Sequence, residues 1–417
     1  MPFKPDFSQI IISGAGPAGS AASMFLSKAG VKHTLIEKAV FPRDKICGDA
    51  LSGKVMSVLR LFDEKVANEL SDNHKLFHPS KGVIFVSPNN TRLSIPFKEE
   101  YQPADKAPGY VVKRIDFDNF LFSKTHSPFC HVIQNCELKE IEKTKDGLEL
   151  TCFYNNSQTN VKTKLLIAAD GSRSIAAKKL GGILLEPAHY SGGIRAYYSG
   201  VKNLNTEGYV ELIFIKKYLP GYFWIFPMPD GKANVGAGML TKEISKKRLD
   251  LKKMMLDTIE NDPEISKRFE GAVLEGKITG WGLPLGSKKR KLSGDNFILC
   301  GDAGSLIDPF TGEGIGTAML SGKIAADISQ KALAENNFSS SFMEQYDKLL
   351  YAKIWKEISL SYMLQKLSKW SWLFNFVVGK ASRNIELQRM ITSMFSNLDL
   401  RKQFANPMFY LRLLFKR

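Results

Sequence analysis

The sequence predicts an α/β (α+β) chain in three parts: a domain of alternating strands and helices, an antiparallel β-sheet domain inserted into it, and a helical C-terminal region. Three observations carry this. Near the N-terminus an apolar run passes through a glycine triplet into a helical pattern. From about 190 to 280 the texture turns aromatic and strand-like. From 340 onward, bulky apolar residues interleave with Lys and Arg in a pattern that reads as helix throughout.

Taken in order, Ile10-Ile11-Ile12 reads as a buried strand and Ala18 to Ala29 as a helix, with Gly14-x-Gly16-x-x-Gly19 between them. Eighteen residues after the last glycine, behind a second apolar run (Thr34-Leu35-Ile36), stands Glu37. The first glycine permits a tight turn and the second lets backbone approach a pyrophosphate. The third lets helix and strand close on each other, and the acid accepts from a ribose hydroxyl. Amides at the helix N-terminus complete a phosphate site. With strand, triplet, helix and acid in register, this is a Rossmann-like site for a cofactor with an ADP moiety. Gly14, Gly16, Pro17, Ala18, Gly19, Glu37 and Lys38 are its candidates.

A charged loop, Phe41 to Asp49, follows, then an apolar stripe predicting a helix over 50–70. Residues 82–97 alternate as two strands turned at Pro88-Asn89-Asn90. Arg114 opens a helix with Asp116 as its expected N-cap. Short strands over 131–168 deliver Asp170-Gly171-Ser172-Arg173-Ser174. Strands around Tyr197, 209–214 and 221–227 precede a helix over 241–260. A strand at 296–300 then feeds Gly301-Asp302, and Pro309 to Gly316 opens a helix to about 335. The expected partition is 1–75, 100–185 and 280–335 for the nucleotide domain, 76–99 and 186–279 for the inserted sheet, and 340–417 for the helical tail.

Composition narrows the class. At 417 residues the chain holds two or three domains. Its five cysteines are odd in number and form no CxxC pair. That predicts a reducing compartment, with no disulfide framework and no zinc site. His74, His78, His126, His131 and His189 lack metal-like spacing, so no metal is expected. No signal-peptide pattern and no run near the ~20 apolar residues of a spanning helix is apparent, which predicts a cytoplasmic protein. The net charge of +16 is concentrated at the end, where residues 341–417 carry 13 Lys and Arg against 5 Asp and Glu. An anionic membrane surface suits that charge, because Trp370 to Gly379 forms an uncharged, bulky window beside basic residues. A helical cap packed on the inserted domain is the other reading, and Phe409 to Arg417 repeats the pattern. No stacking platform accompanies the charge, so nucleic acid is not expected as a partner. The oligomeric state is not legible.

Three strand-to-turn signals line up in order: Gly14 to Gly19, Asp170-Gly171 and Gly301-Asp302. Together they resemble the flavoprotein hydroxylase superfamily with the para-hydroxybenzoate hydroxylase fold, over residues 8 to about 335. Two further stretches narrow the likeness. Pro42-Arg43-Asp44-Lys45-Ile46-Cys47-Gly48 is similar to the Pro-x-x-Lys-x-Cys-Gly loop of geranylgeranyl reductases. Tyr222-x-Trp224-x-Phe226-Pro227 followed by Gly236-Ala237-Gly238 resembles that family's substrate-domain motif. Pro309-Phe310-Thr311-Gly312-Glu313-Gly314-Ile315 resembles its third signature.

The resemblance implies an FAD enzyme that saturates double bonds of an isoprenoid or similar lipid chain, with NAD(P)H or a protein electron donor as reductant. It implies that Asp302 and Gly301 hold the ribityl and pyrophosphate region, that Asp170 and Gly171 form the opposite wall, and that Arg114 reaches the flavin chain. Amides of Gly314, Ile315 and Gly316, with Pro309 and Gly312 in the same loop, would lie near the isoalloxazine. Arg43 would neutralise cofactor phosphate by bidentate contact, with Gly48 in the same loop. Cys47 is a candidate proton donor or substrate gate, with Arg43 and Lys45 beside it to lower its pKa; a small buried hydrophobe is the other reading. Tyr222 and Trp224 complete the catalytic candidates. Tyr197, Tyr209, Phe214, Tyr222 and Trp224 either line a dry tunnel or form sheet core. Rival readings on the same fold are an aromatic monooxygenase and a flavin-dependent halogenase, whose Trp-x-Trp-x-Ile-Pro is matched only in part by Tyr222 to Pro227. A non-enzymatic flavin-bearing lipid carrier is a third.

Overall fold

A computed structural model describes residues 7–102 and 105–396 of the chain. Phe409 to Arg417 therefore lie outside the described residues. One sheet runs in the spatial order Ser293–Gly294, Phe297–Leu299, Ser157–Ala168, Phe7–Ser13, His33–Ile36, Cys130–Ile133. Four of the five pairings in that order are parallel, and only Ser293–Gly294 joins antiparallel. Ile10, Ile11 and Ile12 are buried on both faces, as central parallel strands are. The first helix, Pro17–Lys28, packs against Ile315–Ala334 so closely that a β-carbon on Gly322 would lie 2.1 Å from the Ala18 carbonyl oxygen. The strands Cys136–Thr144 and Gly147–Tyr154 extend Ser157–Ala168 as an antiparallel meander.

The second sheet has seven strands, ordered 273–284, 190–199, 232–240, 222–227, 210–213, 82–86 and 92–96. One pairing departs from the expected antiparallel pattern: Val210–Ile213 runs parallel to Gly82–Val86. These strands lie more than a hundred residues apart in sequence, so no hairpin dictates their direction. The last strand, Val273–Pro284, stays in this sheet beyond residue 279, whereas His78–Ser80 pairs instead with Gly109–Val111 in a small third sheet.

Three local expectations are corrected. The stretch 50–70 is two helices, Gly53–Phe62 and Glu64–Asp72, because Asp63 is extended and caps the second through Lys65 N. The stretch 241–260 is likewise split, at Arg248 in the left-handed region. Lys113, not Asp116, occupies the N-cap of Arg114–Ser123, and Asp116 lies inside the first turn.

The C-terminal region is helical as far as it is described: Ser340–Leu367, Ser371–Arg383 and Ile385–Ser396. Phe374, Val378 and Ala381 from the middle helix bury themselves in one cluster with Val83, Leu93, Val210, Leu212, Trp224 and Phe226 of the seven-stranded sheet. No helix among the described residues is long and apolar enough to cross a membrane.

Candidate functional site

A cavity of roughly 1950 Å³ runs from the glycine loop, past the Cys47 loop and the aromatic strand, to the C-terminal helices. At the glycine loop, Gly14 adopts φ +96, and a β-carbon there would stand 2.4 Å from the Ala169 carbonyl oxygen. Gly14, Gly16, Pro17 and Ala18 line the cavity at the N-terminus of the first helix. Gly19 does not. It lies underneath, where its missing side chain leaves room for the Gly14 carbonyl. Glu37 is buried, taking the Ala15 amide on Oε2 at 2.7 Å and the Ala39 amide on Oε1 at 3.0 Å. Lys38 is exposed at the rim.

Arg43 spreads over Phe41, its centre 4.7 Å from the ring, and Nη2 lies 3.6 Å from the place of a Gly16 β-carbon. Its Nη1 is held by Asp118 Oδ2 at 2.6 Å, so one arm of the expected bidentate phosphate contact is already committed. Asp118 also grips Arg114 with both oxygens, at 2.7 and 2.8 Å. These two guanidiniums hold the buried Asp118 carboxyl below its usual range against the opposing pull of burial. Arg114 also stands beside Cys47. Arg43 meets Asp118, and Lys45 reaches Asp302 Oδ2 at 3.1 Å and the Trp281 ring at 5.9 Å.

Across the cavity lie Asp170, Gly171, Gly301 and Asp302. Asp170 Oδ2 accepts from the Ile175 amide at 3.1 Å, while its Oδ1 and Ser172 Oγ are buried with no protein partner. Pro309, Gly312, Gly314 and Ile315 line the next stretch. Gly316 is the exception: its amide donates to Glu313 Oε1 at 2.7 Å, and the residue faces Lys54 and Ser52 rather than the cavity.

The aromatic strand closes over the Cys47 loop. A β-carbon on Gly48 would come within 3.1 Å of Phe226, and one on Gly236 within 2.2 Å of the Trp224 ring. Tyr222 donates to the Thr311 carbonyl, and burial pushes its phenol well above the ordinary range. Of the five aromatics singled out from the sequence, Tyr222 and Trp224 line the cavity. Phe214 is core, stacked near Phe310 and Phe374; Tyr209 packs over Gly82; Tyr197 turns its hydroxyl to Asp49.

Sequence reasoning missed Asp118, Asn234 and Asp49. Asp118 was discoverable, standing four residues after Arg114 on a predicted helix. Asn234 was not, since only strand register places it opposite Phe226 and near Trp224. Among the described residues no group of three or more His, Cys, Asp or Glu could hold a metal.

These residues fit a flavin dinucleotide: a glycine cradle at a helix N-terminus, a buried acid at the end of the next strand, and unpartnered polar atoms on the facing wall. Fold and site together define an FAD-binding flavoprotein. A family model described as an FAD binding domain matches residues 8–332. The digeranylgeranylglycerophospholipid reductase of Methanococcus vannielii is 30% identical over 94% of this chain and 91% of its own. Among solved structures, a geranylgeranyl bacteriochlorophyll reductase-like protein of Thermoplasma acidophilum superposes with TM-score 0.79 at 22% identity, covering 96% of this chain and 98% of that one. A flavin-dependent brominase, Bmp2, shares the fold with TM-score 0.78 at 20% identity, covering 97% and 99%. The chain belongs to the geranylgeranyl reductase family of FAD-dependent oxidoreductases.

Proposed function

We propose that this enzyme reduces carbon–carbon double bonds in the polyprenyl chains of a lipid, the digeranylgeranyl glycerophospholipids of its relatives being the model substrate. The observation that carries the reading is the continuity of one cavity from the dinucleotide cradle into an apolar channel. That channel is lined by Val83, Leu93, Val210 and Leu212 of the sheet and by Leu364, Phe374, Val377 and Val378 of the C-terminal helices. Such walls exclude water from an unactivated alkene and accept a chain rather than a compact polar ring.

Bound FAD, once reduced, supplies hydride. In this reading Gly14, Gly16, Pro17 and Ala18 cradle the pyrophosphate, with Gly19 supporting the turn. Glu37 accepts ribose hydroxyls on its remaining lone pairs, with Lys38 at the rim. Arg43 presents Nη2 to phosphate. Asp302 and Gly301 face Asp170 and Gly171 along the cofactor chain. Pro309, Gly312, Gly314 and Ile315 border the flavin ring. Cys47, Gly48, Tyr222 and Trp224 form the collar where the lipid chain meets it, and Arg114 fixes Cys47 from behind. The nucleotide-binding and chain-binding parts thus divide between the two large sheets. The reductant is NAD(P)H or a protein electron donor.

We also propose that the lipid enters from a membrane surface. Trp370, Trp372, Phe376 and Val377 are exposed around the helix Ser371–Arg383, and Phe376 and Val377 also line the cavity. The apolar rim and the channel mouth coincide there.

The test is anaerobic. Protein loaded with FAD and reduced by dithionite should be reoxidised by a polyprenyl glycerophospholipid, with loss of alkene signals from the lipid. Reoxidation that requires oxygen, with an aromatic compound or halide, overturns this reading in favour of a monooxygenase or halogenase.

A further inference from the structure

Saturating an alkene consumes one hydride and one proton. On the reductase reading the hydride comes from the reduced cofactor, and the proton needs a source. Around the Cys47 loop, the Cys47 thiol apart, most exchangeable hydrogens are committed. The Tyr222 hydroxyl donates to the Thr311 carbonyl. The Trp224 indole N–H donates to Asn234 Oδ1 at 2.9 Å. Asn234, fully buried, uses Nδ2 on the Cys47 carbonyl at 3.0 Å and on Asp49 Oδ2 at 2.8 Å.

Asp49, the last member of this chain, differs. It lines the cavity, is fully buried, and sits in the left-handed region with φ +67. Oδ2 accepts from Asn234 and from the Tyr197 hydroxyl at 2.6 Å, while Oδ1 is buried with no protein partner. An ionised carboxylate with one bare oxygen in the interior is costly, and a carboxyl that keeps its proton there is much less so. The groups facing it are Tyr197 and Arg195 from 190–199, Asn234 from 232–240 and Arg114 from 114–123. Burial outweighs the two arginines and both hydrogen bonds, and pushes the Asp49 carboxyl up to about 6.

We propose that Asp49 is the acid of this site, holding on Oδ1 the proton that completes saturation of the lipid double bond. In that step the Asp49 O–H bond breaks and a C–H bond forms at one alkene carbon, using the π pair. The other carbon receives the hydride with its own electron pair. Asp49 is left as carboxylate and regains a proton from water.

The experiment is single-turnover reoxidation of the reduced holoenzyme by polyprenyl glycerophospholipid between about pH 5 and 8. The wild-type rate should fall about tenfold per pH unit above about 6. Asp49→Asn should bind FAD with an unchanged absorption spectrum, react about 10²–10⁴-fold more slowly and lose that limb. Tyr197→Phe removes a donor that favours the carboxylate, so its limb should move to higher pH. Infrared spectra of cofactor-free protein add a readout independent of turnover: a protonated-carboxyl band should titrate near 6 and vanish in Asp49→Asn. If that variant does not fold, the shift of limb and band in Tyr197→Phe decides. An Asp49→Asn rate within about twofold of wild type overturns the proton role alone, as does an unmoved limb in Tyr197→Phe. A wild type that lipid does not reoxidise overturns the reductase reading and the proton role with it.

Discussion

A β-carbon added at Gly19 would sit 1.8 Å from the Gly14 carbonyl oxygen, a backbone atom held in place by the turn. The turn must therefore shift for Gly19→Ala to fold, at about 1–3 kcal/mol. Because the displaced backbone is the wall that Gly14 and Gly16 present to the cavity, the same variant should lose most of its bound flavin. Equilibrium dialysis with FAD reads this directly; wild-type affinity would contradict it. Asp49 offers the opposite case, a residue that costs stability. Its folded carboxyl titrates at about 6, above its ordinary 3.8, so the native state binds the proton more tightly than the unfolded chain. Its contribution is therefore complete below about 3.8 and is lost as pH rises through 6. The displacement corresponds to about 3 kcal/mol, so Asp49→Asn should unfold at higher temperature than wild type at pH 8. At pH 4 the two should unfold together. A gain in thermal stability that is equal at both pH values would show that burial of charge is not its cause.

The helix Ser371–Arg383 shows how an element can be visible in sequence and still hide its role. Its composition suited either an interfacial segment or a cap, and it has the geometry of a cap on one face. Phe374 lies 4.5 Å from the Phe214 ring, and Val378 and Ala381 are buried against strands almost three hundred residues earlier in the chain. Only tertiary contact reveals which face is covered. Phe374→Ala should cost about 3–5 kcal/mol, expressed as detachment of this helix. Proteolysis within 371–383 should accelerate and lipid-driven reoxidation should slow, while FAD affinity stays unchanged, because the dinucleotide cradle lies at the far end of the cavity. Weakened FAD binding would contradict that separation. The cradle itself was legible because its determinants are local: strand, turn, helix and acid fall within Ile10 to Glu37. The breaks at Asp63 and Arg248 were missed because the apolar stripe continues across them. The parallel pairing of Val210–Ile213 with Gly82–Val86 and the reach of Asn234 to Cys47 depend on register between distant strands.

At the scale of the whole molecule, net charge and channel mouth support one arrangement. The sequence carries +16, and half of that excess lies after residue 340, in the region that supplies the exposed Trp370 and Trp372 and the channel-lining Phe376 and Val377. On the proposed membrane reading, charge of this sign would draw the region toward anionic headgroups at about 1 kcal/mol for each basic residue near the surface, with salt screening it. On the same reading the exposed indoles would sit at the headgroup boundary, where their amphipathic rings are accommodated. If lipid enters through this rim, docking and catalysis share an ionic-strength dependence when the substrate is in vesicles. They part when the same lipid is in neutral detergent. The double substitution Trp370→Ser with Trp372→Ser should weaken binding to anionic phospholipid vesicles by at least about tenfold, roughly 1.4 kcal/mol, and slow reduction of vesicle lipid in proportion. Detergent-dispersed lipid should be reduced at the wild-type rate, because neither tryptophan lines the channel. Equal losses on both substrates would place the defect in the channel and remove the membrane rim from the account.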